Sequence, residues 1–260
     1  MIKFLKYDFK GSYRALLGFI LGGIIGSTFI QIFFFQKSNI LRDTGLGMPA
    51  ILKGIIVVAS ALVIVSVVIG FIIYSVRMFS NELNEDRGYL TFSVPQSMCK
   101  MILSKLFIVF VWSMLSMLVG FYYNIAFSYL IFGSGQAAQV MMEDFSGFYP
   151  VIRNIFITGV EATFIMSICY FAISLSKVTF NNKKLGLLWI PIFILLLIGA
   201  SYLKSFLVNP YLLRPMGPFV VNIFGFYYDY DVWKLVIFDV ICGAILTAGT
   251  TYILDRKINI

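Results

Sequence analysis

The chain has 260 residues, 60% hydrophobic, 17% aromatic and 12% charged, with 20 Lys and Arg against 12 Asp and Glu for a net charge of +8. A soluble domain carries roughly 25% charged and about 45–50% apolar residues, so this composition excludes a water-soluble globule. It fits an apolar solvent in which helices satisfy their own backbone. The absence of histidine excludes His-based metal sites and Ser–His or Cys–His catalysis.

In chain order, residues 1–14 read as an interfacial helix. Lys3, Lys6, Lys10 and Arg14 recur at three- and four-residue spacing, and so do Ile2, Leu5, Phe9 and Tyr13. At about 3.6 residues per turn these form adjacent stripes, one for lipid headgroups and one for acyl chains; the plainer alternative is a frayed basic tail. The apolar run that follows is too long for a signal-peptide core, and no small-residue cleavage site comes after it.

Six runs are long enough to span a bilayer: 15–35, 54–75, 106–132, 154–176, 185–203 and 234–254. The expected fold is therefore an all-α integral membrane protein, a single domain of six transmembrane helices in the multi-pass class of the cell membrane. Its basic residues set the orientation. Thirteen fall in segments on the side of the N-terminus, including Arg77, Arg87, Lys100, Lys105, Lys177, Lys183, Lys184, Arg256 and Lys257. Seven fall on the other side: Lys37, Arg42, Lys53, Arg153, Lys204, Arg214 and Lys234. The bias puts both ends in the cytoplasm. The net positive charge reads as the excess of a chain facing an anionic inner leaflet, not as a nucleic-acid footprint.

The first run carries Gly18, Gly22 and Gly26 at four-residue intervals, with Gly23 beside them. That spacing puts three bare positions on one face, where a second helix can approach closely, although glycine is also simply common in membrane helices.

Between the second and third runs, the inner loop 76–105 holds the densest charge in the chain: Glu82, Glu85, Asp86, Arg87 and Lys100. Residues 81–86 suit a short polar helix, Gly88 suits its end, and Ser93-Val94-Pro95 suits the start of the next. Such a segment is either a docking element or a solvated linker.

The fourth run contains Glu161, the one acidic residue well inside a span. Insertion scales put an ionisable group there at roughly 2.5–3.5 kcal/mol. It reads as a proton or cation site, as the mate of a basic group on another helix, or as a structural carboxyl near the outer end. Asp239 lies nearer the end of its own run and carries less weight. The outer segment 204–233 is broken by Pro210, Pro215 and Pro218 yet rich in apolar and aromatic residues. It reads as a re-entrant or interfacial hairpin, or as an aromatic belt at the outer surface.

The three cysteines, Cys99, Cys169 and Cys242, are odd in number and scattered, which implies no disulfide framework. No Walker A pattern occurs, so the chain binds no nucleotide by that device.

The inner-loop stretch Asp86-Arg87-Gly88-Tyr89-Leu90-Thr91-Phe92-Ser93-Val94-Pro95, followed by Ser104-Lys105-Leu106, resembles the membrane subunits of bacterial ABC exporters of the type-2 permease family. There the segment commonly runs acidic-acidic-Gly-Tyr-Leu, a short extended stretch, Pro, and then Ser-Lys-Leu. Arg87 departs from that pattern by replacing an acidic residue. Six spans, an N-terminal interfacial helix and a broken hydrophobic loop before the last span also match the family layout.

The resemblance implies a permease forming half of an export pathway for a peptide, lipid or drug-like amphiphile, with an antimicrobial peptide among the candidates. A second permease chain, identical or not, would complete the pathway. A separate ABC ATPase subunit would hold ATP and Mg, leaving no cofactor, metal or catalytic residue on this chain. A coupling contact would fall on Asn81, Glu82, Glu85, Asp86, Arg87, Gly88 and Tyr89. Two other classes stay open: a secondary transporter or channel using Glu161, and a membrane immunity or anchor protein without transport. An intramembrane enzyme is disfavoured by the missing histidines.

Overall fold

A computed structural model describes residues 2–37, 62–63, 65–79, 98–132, 148–179, 189–208 and 232–258. These residues are all-α. We label the helices α1 (Ile2–Lys37), α2 (Val65–Phe79), α3 (Met98–Phe132), α4 (Phe148–Thr179), α5 (Trp189–Val208) and α6 (Val232–Ile258). Four of them, α1, α3, α4 and α6, contain apolar stretches of 24–30 residues, long enough to cross a membrane, while α2 and α5 are shorter and apolar. The chain is a multi-pass membrane protein.

Local sequence explains several helix boundaries. Pro150 and Pro191 lie in the first turns of α4 and α5, where a missing N–H costs no intrahelical bond. Lys177 sits in the last turn of α4, where a cation faces the negative end of the helix dipole. Nothing between Lys10 and Gly18 interrupts α1. The expected interfacial segment and first span are therefore one helix of 36 residues, about 54 Å long. That exceeds a hydrocarbon core of ~30 Å, so the helix extends beyond it.

The chain forms two compact units, one of Met1–Lys10, Ser75–Met114 and Ile152–Ile260, the other of Gly11–Tyr74 and Leu115–Val151. In the second unit α1 and α2 interlock through small residues. A Cβ on Gly22 would meet Val67 Cγ2 at 3.0 Å, and one on Gly70 would meet Phe19 Cε1 at 2.7 Å. Phe19 also lies edge-on to Phe71 and to Tyr74, with centroids 6.3 and 6.1 Å away. As residue numbers fall along α1 they rise along α2, so the two helices run antiparallel. Ser27 Oγ and Gln31 Nε2 of α1 both donate to Asn124 Oδ1 of α3.

In the first unit α4 is central. Its most apolar stretch is 61% buried within the protein, against 17–39% for the other three long helices. Ile157 packs on Val236 and Val160, and Phe164 meets Phe238 edge-to-face at 6.1 Å. A Cβ on Gly243 would lie 3.8 Å from Phe164 Cδ2 and from Ser167 Oγ, and one on Gly249 would lie 3.0 Å from Phe171 Cε2. Numbers rise together along the two helices, so α4 and α6 run parallel. α5 packs on α6.

The burial of α4 explains how it tolerates polar residues. The hydroxyls of Thr158, Thr163, Ser167, Ser174 and Ser176 donate to carbonyls three or four residues back in their own helix. Each satisfies its donor without a partner from lipid.

Candidate functional site

The site follows from three ionisable residues on three helices of the first unit. Lys204 on α5 places its Nζ 2.8 Å from Asp239 Oδ1 and donates a 2.9 Å hydrogen bond to Asp239 Oδ2 on α6. It also reaches Glu161 Oε1 on α4 at 3.5 Å. The same ammonium sits 5.1 Å from the ring centroid of Phe164, one turn beyond Glu161. The side chains are 9% exposed at Lys204, 6% at Asp239 and 15% at Glu161. Burying one such charge alone is prohibitive; opposite charges at these distances offset much of the desolvation.

Helix geometry brings these groups together. Glu161 and Phe164 are three residues apart and share a face of α4. Asp239 directly follows Phe238, which packs on Phe164, so the α4–α6 contact that sets the rings edge-to-face also levels the two carboxylates. Lys204 is four residues from the end of α5, and its long stem carries the ammonium inward.

Sequence reasoning singled out Glu161 and gave Asp239 little weight. It put Lys204 at the head of an outer loop, whereas α5 continues to Val208 and buries Lys204 to 7% exposure. The signal that could have found it is a lone cation within three residues of an apolar run, in a chain whose spans carry unmatched carboxylates. Lys105 shows the same effect. Assigned to the inner end of the third run, it lies seven residues inside α3 at 1% exposure, with its Nζ 3.4 Å from the carbonyl of Met78 near the end of α2. A lysine at that position complements the carbonyls that a helix leaves unsatisfied at its C-terminus.

Of the glycine face, Gly22 lies against Val67 of α2, Gly26 is buried, and the space beside Gly18 is open. The coupling residues Asn81, Glu82, Glu85, Asp86, Arg87, Gly88 and Tyr89 lie outside the described residues, as does 209–231 of the outer segment. Both flanks of the inner loop are described. Phe79, the last residue of α2, is fully buried and stacks on Tyr170 of α4 with centroids 4.3 Å apart and planes at 21°. The three cysteines are free thiols, Cys99 exposed, Cys242 half-buried and Cys169 buried.

Comparison with family models, with curated proteins and with solved structures returned no match.

Proposed function

We propose that this chain is the permease subunit of an ATP-driven exporter of the type-2 ABC class. It would form half of the translocation pathway for a peptide, lipid or drug-like amphiphile, coupled to a separate ATPase subunit that holds ATP and Mg. The observation that carries the reading is the sequence stretch Asp86 to Pro95, in the segment joining α2 to α3, together with Ser104-Lys105-Leu106 near the start of α3. Two features support it. The flanks of that loop are held firmly, by Phe79 on Tyr170 and by Lys105 at the carbonyl of Met78, so force applied to the loop would reach α3 and α4 with little slack. The parallel run of α4 and α6 is compatible with α5, 20 residues and about 30 Å long, crossing back between them.

Replacing Glu82, Glu85 and Asp86 together by Ala tests the reading. Exposed charges are worth ~0.2–1 kcal/mol each in stability, whereas charges buried against a partner cost about 2–5 kcal/mol when truncated. The triple variant should insert and accumulate normally, yet release a co-expressed ATPase subunit or lose transport. Normal transport with the ATPase still bound would refute the proposal.

A second reading is favoured by the Lys204 cluster. Ionisable groups facing the interior of a helix bundle are typical of ion-coupled transporters. Under that reading Glu161 and Asp239 would serve an ion gradient, and transport would follow the gradient without any ATPase.

A further inference from the structure

Between Trp189 and Lys204, α5 has one buried side chain, and it is the lysine. The apolar side chains of that stretch are half-buried or exposed, Leu195 by 70% and Leu203 by 58%. In water, burial of an apolar face would hold such a helix to its neighbours. In a bilayer the lipid tails are as apolar as leucine, so that force is missing, and helices associate through close packing and polar contacts instead. α5 packs on α6 without burying an apolar side chain in 189–204. The bonds from Lys204 to Asp239 at 2.8 Å and to Glu161 at 3.5 Å are therefore the principal restraint on that end of the helix. The α4–α6 pair is built differently. Ile157 packs on Val236, Phe164 meets Phe238 edge-to-face, and Gly243 and Gly249 let side chains of α4 approach the backbone of α6. None of those contacts passes through α5.

We propose that Lys204, Asp239 and Glu161 form an ionic latch that docks α5 on the α4–α6 pair, and that α5 is the movable helix of the first unit. While the lysine is seated, α5 is held at both carboxylates and beside the ring of Phe164. When it is withdrawn, α5 swings away and α4 and α6 stay packed. Lys204 lies four residues from the end of α5, where a long stem can carry an ammonium to the membrane surface, so the undocked helix need not leave its charge in lipid. The latch is independent of both transport readings, which stand or fall apart from it.

The test is dipolar EPR on the full chain in phosphatidylcholine nanodiscs, made cysteine-free and then spin-labelled at two introduced cysteines. Leu203→Cys with Ile237→Cys reports α5 against α6. Ile152→Cys with Trp233→Cys reports α4 against α6, and all four positions are exposed. The parent chain should give one narrow distance for each pair. Lys204→Met should lengthen the α5–α6 distance by roughly 5 Å, one helical pitch, or more, and leave the α4–α6 distance unchanged. Lys204→Arg, which keeps the charge, should hold the parent distance. Lys204→Met with Asp239→Leu should keep α5 displaced even where the melting temperature recovers, because two apolar side chains gain little from each other over lipid. An unchanged α5–α6 distance in that double variant would overturn the proposal, since the ion pair would then add stability without positioning the helix. So would a shift of both pairs in Lys204→Met, because the cluster would then hold the whole unit together and not α5 alone. The double variant decides the matter even where the single one fails to fold.

Discussion

Lys204 is worth more to this protein through its surroundings than through its charge alone. With Asp239 at 2.8 and 2.9 Å and both side chains below a tenth exposed, neither charge is tolerable without the other. Breaking a buried pair by removing one partner costs about 3–5 kcal/mol, while replacing both by apolar residues of similar volume is often close to neutral. Lys204→Met should therefore lower the melting temperature of the protein in nanodiscs sharply. Lys204→Met combined with Asp239→Leu should recover most of the loss. Equal destabilisation by the single and double variants would mean that the ion pair is not the source of the effect. Lys204→Arg should retain more stability than Lys204→Met, since it keeps the charge while changing the donor geometry.

At the scale of elements, helix contact rests on where side chains are missing. Glycine inside a helix costs roughly 0.5–1 kcal/mol relative to alanine, so a Gly→Ala change gains that amount where space is open. Gly18 has nothing within 4 Å of a built Cβ, whereas at Gly159 of α4 a Cβ would come 2.8 Å from Met114 Cγ and 2.9 Å from Phe110 Cε2 of α3. At those distances overpacking outweighs propensity, at about 1–3 kcal/mol. Gly18→Ala should leave the melting temperature unchanged or raised, and Gly159→Ala should lower it. Opposite signs from the same substitution separate packing from propensity. The glycine spacing in the first run was legible as a place for close approach. Which glycine meets a neighbour was not, because that depends on how α1 is rotated towards α2, and pairwise packing sets the rotation.

For the whole molecule, we propose from the basic-residue bias six crossings with both ends inside, an arrangement in which α4 and α6 would run parallel. Single cysteines introduced as Asn39→Cys, Ser134→Cys and Asn209→Cys in a cysteine-free chain should react with an impermeant maleimide from outside. Asn84→Cys and Asn182→Cys should react only after permeabilisation, and outside labelling at Asn182→Cys would overturn the arrangement. The exporter proposal adds that one six-helix chain is half a pathway. Reconstituted protein should therefore be dimeric by mass measurement in nanodiscs, alone or with a second permease chain. Transport by a demonstrably monomeric chain would rule that out.

The sequence by itself determined the solvent and the class. Sixty per cent hydrophobic residues with 12% charged leave no folded state in water, and runs of about 20 apolar residues can only be helices where the backbone has no other partner. It also marked Glu161, because one carboxylate within an apolar run stands out at any register. Tertiary structure decided which groups answer it. Lys204 and Asp239 are 43 and 78 positions along the chain from Glu161, and no local pattern links them. They meet because α4 and α6 lie parallel with Phe164 and Phe238 packed edge-to-face, and because α5 extends far enough to bury the lysine. Hydropathy assigned Lys204 to a loop, since it scores each residue against lipid or water. Inside the bundle the lysine faces neither; it faces two carboxylates and an aromatic ring.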